Sequence, residues 1–207
     1  MPAIGDLRSR LMALADDTLL GHPEIKSLFK MRLPTDETQQ QLKVRLENLA
    51  MAKDRSMLDI AHPMRKLICN KLVLFLQHMP ETFDLKGANI GNLTLAGGYI
   101  NNHHKLDPII FLFSKLVNVQ GVVRAVVNEN LHLGATLQNG KTILGQHNIT
   151  GKEVAPIKSP IRSLFLNKGL EKIEPANCQV RKTTRGLIGD ADLICYPPEQ
   201  FLHKSNR

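Results

Sequence analysis

The first third of the chain places its apolar residues at helical spacing. In Asp6–Asp16, Leu7, Leu11, Leu14 and Ala15 recur at i, i+4, i+7 and i+8, which is one face of a helix with Asp6 as its expected N-cap. Gly21 and Pro23 end the stretch that follows, and Glu24–Arg32 reads as a short second helix. Thr35-Asp36-Glu37-Thr38 opens a long third helix, in which Leu42, Leu46, Leu49 and Ala50 share a face. A fourth helix, Pro63–Met79, is apolar enough to predict burial on most sides.

The pattern changes after Pro80. Residues Asn89–Tyr99 read as a polar, glycine-containing start to a helix that runs to His103-His104. Asp107-Pro108 is expected to cap the next helix, Ile109–Val117, because Asp is favoured at the N-cap and Pro at the position after it. From Val119 the chain reads as strands: Val122–Val127 is β-branched, and Leu131–Leu137 alternates with period two. Asn139-Gly140 is a hairpin signal, with further strands at Thr142–Gly145 and Ile161–Leu166. Pro175 opens a last predicted helix to about Gly189, and Asp192–Tyr196 reads as a short buried strand ended by Pro197-Pro198. Helices mixed with strands predict an α/β layered fold. In open sheets of that kind ligands sit beyond the carboxyl ends of the strands, which directs attention to Asn89–Asn92 and to the loop after Tyr196.

Composition narrows this picture. Of 207 residues, 43% are hydrophobic but only 4% aromatic, with no tryptophan, so the core must be built of Leu, Ile, Val, Ala and Met. No uncharged apolar run approaches the length of about 18 residues that a spanning helix needs. The residues after Met1 lack the basic-then-apolar pattern of a signal peptide. Three cysteines are too few for a disulfide framework or a zinc knuckle; Cys69 and Cys195 lie in apolar runs, so buried thiols and a reducing cytoplasm are expected. A net charge of +8 favours nucleotides, phosphorylated metabolites or nucleic acid as partners, with a merely solvated basic surface the equal alternative.

Four segments carry a family resemblance. Pro2-Ala-Ile-Gly-Asp-Leu-Arg8, Gly87-Ala-Asn-Ile-Gly-Asn-Leu-Thr-Leu95, the hairpin from Leu131 to Gly145-Gln146-His147, and Ala191-Asp-Leu-Ile-Cys-Tyr-Pro-Pro198 resemble, in the same order, segments of the 2-phospho-L-lactate transferase (CofD-like) family. The resemblance implies a Rossmann-like layered α/β fold over 1–207 as a single partial domain, 1–80 mostly helical and 81–207 the α/β portion. It implies phospholactyl transfer from a nucleoside diphosphate donor to a deazaflavin-type acceptor, assisted by magnesium. The family's glycine-rich first strand and Asp-Asp-Gly-Gly segment have no counterpart here, and Pro197-Pro198-Glu199-Gln200 stands where relatives have Pro-Gly-Ser. The expectation is therefore an incomplete, shortened fold with weak or absent transfer, and an unpaired strand edge that favours a homo-oligomer. The alternatives are a non-catalytic nucleotide or nucleotide-sugar binder with a regulatory role and, last, a basic module for nucleic acid or protein, with nucleic acid disfavoured for want of a reading motif.

The resemblance also nominates residues. Asn89, Gly91 and Asn92 would line the ligand cleft, although by themselves they also read as an Asn N-cap and a glycine-tolerant turn. Gln146, His147 and Thr150 follow the second hairpin strand, and a surface turn explains them equally well. Pro197 and Pro198 would form the floor of the cleft. Among possible metal ligands, His103, His104, His132 and His147 match no zinc spacing. Asp190 and Asp192 are the nearest substitutes for the family's magnesium carboxylates, though they also read as a helix end and a strand start. Lys152, Lys158, Arg162, Arg181, Lys182 and Arg185 make the C-terminal half basic, with Arg181, Lys182 and Arg185 sharing a helix face as an anion stripe or a solvated surface.

Overall fold

The computed structural model describes residues 4–126, 129–150, 156–180 and 182–194. It shows a mixed helix and sheet architecture, as expected, divided into two compact units: Ala3–Ala125, and Val126–Arg207 together with Met1–Pro2. No helix among the described residues is long and apolar enough to cross a membrane.

The first unit is helical: α1 (Ile4–Ala13), a single 3-10 turn (Leu19–Gly21), α2 (Pro23–Lys30), α3 (Gln39–Ala50), α4 (Arg55–Leu58), α5 (His62–His78), α6 (Ile90–Asn101) and α7 (Leu106–Leu116). Thr38 begins α3 with a reciprocal capping box to Gln41, and Leu42, Leu46, Leu49 and Ala50 are buried as their spacing predicts. The core gathers around α6, which packs against α1, α2, α5 and α7. Two glycines make this possible. A Cβ at Gly97 would lie 1.8 Å from the Lys71 carbonyl oxygen, and one at Gly98 would lie 2.2 Å from Ile109 Cδ1. Phe29 of α2 stacks on Phe113 of α7 with ring centroids 4.1 Å apart, which closes the far side. The buried ammonium of Lys26 donates to the carbonyls of Ala15 and Asp16 and to Asp17, fixing the chain as it leaves α1.

Several expectations change. The helical part extends past residue 80, because α6 and α7 bury their apolar faces against the earlier helices, so the internal boundary lies at 125/126. Helix α5 is fully buried only at Ile68, Leu72 and Phe75, while Leu67 and Val73 are exposed, so it is a half-surface helix. Asp6 and Asp107 are not caps. They sit in the first turns of α1 and α7, where a carboxylate complements the helix dipole, and Lys105 occupies the cap of α7. The β-branched stretch forms no strand over 122–126; the chain makes an isolated bridge, Ala15 to Val119, and Val122 stays exposed. Cys69 is half-buried rather than fully buried, and Cys195 lies outside the described residues.

The second unit holds β1 (His132–Leu137), β2 (Thr142–Leu144), α8 (Gln146–Thr150), β3 (Ile161–Asn167) and α9 (Lys182–Gly189). The sheet order is β2-β1-β3, antiparallel throughout, with Ala135 opposite Ile143 on one side and Leu164 on the other. The Asn139-Gly140 turn closes the hairpin as predicted, Gly140 taking φ 81°. Gly134 makes room for the cross-strand Phe165 ring, which would come within 2.4 Å of a Cβ. Asn167 is fully buried, donating to the Gly169 and Lys172 carbonyls at 2.8 Å and accepting from the Glu174 amide.

Pro175 does not open a helix. It bridges to Asn167, and the Ala176 amide donates to the Leu166 carbonyl, so the segment continues along β3 and α9 starts only at Lys182. Residues 192–194 are not strand, and 195–198 lie outside the described residues. Since the described strands are antiparallel, the carboxyl-end rule for open parallel sheets singles out no edge here.

Candidate functional site

The best-defined polar constellation lies at the start of α6. Asn89 is the N-cap, in extended backbone, and its Oδ1 accepts from the Asn92 amide at 3.0 Å. Its Nδ2 donates to the carbonyls of Lys30 (3.2 Å) and Met31 (3.1 Å), and the Ile90 amide donates to Met31 as well. Three of the four hydrogen bonds an Asn amide can make are thus spent inside the protein, with the residue only 3% exposed. Asn89 ties the exit of α2 to the start of α6.

Gly91 is there for close approach. A Cβ would stand 2.7 Å from the Phe29 carbonyl oxygen and 2.9 Å from Arg8 Cδ, so the Arg8 stem lies across the first turn of α6. The Arg8 Nε donates to Asn92 Oδ1 at 2.8 Å. The rest of the Arg8 guanidinium meets no hydrogen-bond or carboxylate partner among the described residues, and neither does Asn92 Nδ2. Arg32 enters from the end of α2, its Nη1 donating to the Gly87 carbonyl at 2.9 Å, likewise without a carboxylate. Partial burial, and then the positive charge of Arg32, push the Arg8 pKa below its ordinary value. Two guanidinium groups that repel each other, beside a helix N-terminus, form an electrostatic arrangement that a bound anion would relieve.

The other nominated residues fall elsewhere. Gln146 and His147 stand on α8 in the second unit; the exposed His147 ring packs against Gly145, where φ is 92°. The Thr150 side chain, Lys152, Arg181, Pro197 and Pro198 lie outside what is described. His103 and His104 end α6 in the left-handed region at φ 49° and 60°, the latter edge-on to Tyr99. Lys158, Arg162, Lys182 and Arg185 are exposed. Asp190 and Asp192 are exposed too, and among the described residues no three His, Cys, Asp or Glu side chains converge as metal ligands. The described donors therefore do not form a magnesium cage.

Sequence reasoning passed over Arg8 and Arg32. In the sequence Arg8 is only the last residue of Gly5-Asp6-Leu7-Arg8, and Arg32 only the end of a predicted helix. The available signal was an arginine two residues after the Gly5-Asp6 pair that already carried the family resemblance. Its partner Asn92 lies 84 positions away, so no local pattern links the two.

The comparisons with known proteins agree with these segments. Residues 1–202 match the 2-phospho-L-lactate transferase CofD family, and the chain belongs to that family. It is similar to the Saccharomyces cerevisiae protein YNL011C, named as uncharacterized: 28% identical over 167 residues, covering 72% of this chain and 34% of that one. It is also 30% identical over 125 residues to a Clostridium acetobutylicum protein named "Putative gluconeogenesis factor", covering 59% of this chain and 25% of that protein. A crystal structure of a UPF0052 family member, BH3568 of Bacillus halodurans, aligns with TM-score 0.41 and 23% identity over 73% of this chain and 53% of that one. The chain thus spans about a third or less of the curated relatives it matches and about half of the structural one.

Proposed function

We propose that the start of α6 binds the phosphate-bearing part of a small substrate, in a protein of 2-phospho-L-lactate transferase-like function. The carrying observation is the Arg8 guanidinium, held through Nε by Asn92, with no carboxylate partner among the described residues and within electrostatic reach of Arg32. In phosphoryl-ester transfer the protein chiefly positions substrates and neutralises phosphate charge, which is the work these donors suit. Arg8 and Arg32 bring charge, Asn92 Nδ2 brings an open donor, and Asn89 and Gly91 hold the turn that presents them. All of these are cations, donors or scaffold, and none is a nucleophile or a base. The same observation suits a second reading, a binder of nucleotides or nucleotide sugars that transfers little or nothing.

Calorimetric titration with phospholactate, guanosine diphosphate and uridine diphosphate, with and without magnesium, tests the site. Binding by the wild type that weakens at least about tenfold in Arg8→Gln supports it. Absence of binding by all three, or binding unchanged in Arg8→Gln, overturns it. Transfer to a deazaflavin acceptor separates the readings: slow turnover supports the transferase, and binding without turnover supports the binder.

A further inference from the structure

The second unit contains a cleft of about 740 Å³ beside the β1–β2 hairpin, unrelated to the start of α6. Its apolar surface comes from Leu137, Ile143 and Leu144 of the hairpin and from Ile157 and Leu170. The facing wall is tied in place: the Gln138 amide donates to the Pro160 carbonyl at 2.9 Å, and the Asn139 amide donates to Ser159 Oγ at 3.3 Å. From α8, Asn148 donates through Nδ2 to the Leu144 carbonyl at 2.8 Å, which fixes its orientation at the cleft. Among the described residues the charges lining this space have one sign: Lys141 and Lys158 line it, no described Asp or Glu does, and neither ammonium has an ion-pair partner among the described residues.

We propose that this cleft binds a small amphipathic anion, an apolar body carrying one carboxylate or phosphate headgroup. The described lining is half apolar and half polar, which matches a ligand that is itself amphipathic, and the volume suits a small molecule rather than a macromolecule. Two cations with no ion-pair partner among the described residues, beside the aliphatic part of the lining, focus potential on an anionic headgroup. Aliphatic side chains accept a hydrocarbon body, whereas no aromatic ring among the described lining residues offers the stacking platform that a nucleobase would use. Carboxylate and phosphate share the chemistry that the two lysines recognise, and the test distinguishes them.

An amide-resolved NMR titration of the full chain with octanoate, octyl phosphate and octanol decides the matter. The expected result is saturable shifts confined to the hairpin, 156–160 and α8 with at least one of the two anions, and at least about tenfold weaker binding of octanol. The stronger anion identifies the headgroup. The double variant Lys141→Gln/Lys158→Gln should weaken the anion at least about fivefold and leave octanol unchanged, while Lys141→Arg/Lys158→Arg should retain affinity within about twofold. Both lysines are exposed, so these variants leave the core untouched. Octanol binding as tightly as either anion, shifts mapping elsewhere, no saturable shifts at all, or anion affinity unchanged in the Gln variant would each overturn the proposal.

Discussion

Arg8 Nε lies 2.8 Å from Asn92 Oδ1, so one hydrogen bond joins α1 to the first turn of α6 across 84 positions of sequence. The bond holds a partly buried guanidinium in place without neutralising it. Replacing Asn92 by Asp separates the two effects. The added carboxylate keeps the contact and cancels the charge, so thermal stability should be retained while affinity for phosphorylated ligands falls at least about tenfold. Melting and calorimetric titration of the same samples check both halves.

Asn89 carries a structural prediction. Asn89→Ala deletes the N-cap of α6 and leaves the Lys30 and Met31 carbonyls without their side-chain donor. The expected loss is about 1–3 kcal/mol in urea unfolding. Asn89→Ser keeps a capping oxygen and should lose roughly half as much.

Two glycines should respond in opposite directions. At Gly97 a methyl group would collide with the Lys71 backbone, so Gly97→Ala should destabilise by about 1–3 kcal/mol or more. Gly186, inside α9, has nothing within 4 Å of a Cβ, and Gly186→Ala should stabilise that helix by about 0.5–1 kcal/mol. Urea midpoints for the first, and hydrogen exchange of α9 amides for the second, provide the measurements.

Burial first, and then nearby positive charge, hold the His132 pKa below its ordinary 6.5. The folded chain therefore resists a proton that the unfolded chain accepts. The stability that this group supplies is complete above 6.5 and is lost as pH falls through 6.5 towards the folded value. Unfolding of the second unit should become easier between about pH 7.5 and about pH 5.5, and His132→Gln should flatten that slope.

Much of the fold was legible because local periodicity reports burial when a helix has one buried face. Leu42, Leu46, Leu49 and Ala50 of α3 follow that rule, and the Asn139-Gly140 turn follows from backbone conformation alone. The rule gave way where a partner overrode the local preference. Val122 and its neighbours are β-branched yet pair with no strand among the described residues, and Pro175 is held extended by β3 although its sequence suits a helix start. Leu67 and Val73 of α5 are apolar but stay exposed, because hydrophobicity states what a side chain gains from burial and not whether a neighbour covers it.

By itself, then, the sequence determined the helical first part, the antiparallel hairpin, the capping of α3 and α6, and membership of the CofD family. These depend on residues close together in the chain or on short motifs. Only the tertiary structure decided that Asn89 is scaffold, that Arg8 and Arg32 carry the charge at the start of α6, and that a lysine-lined cleft opens beside the hairpin. Each of these depends on contacts between residues far apart in sequence, which exist only once the chain has packed.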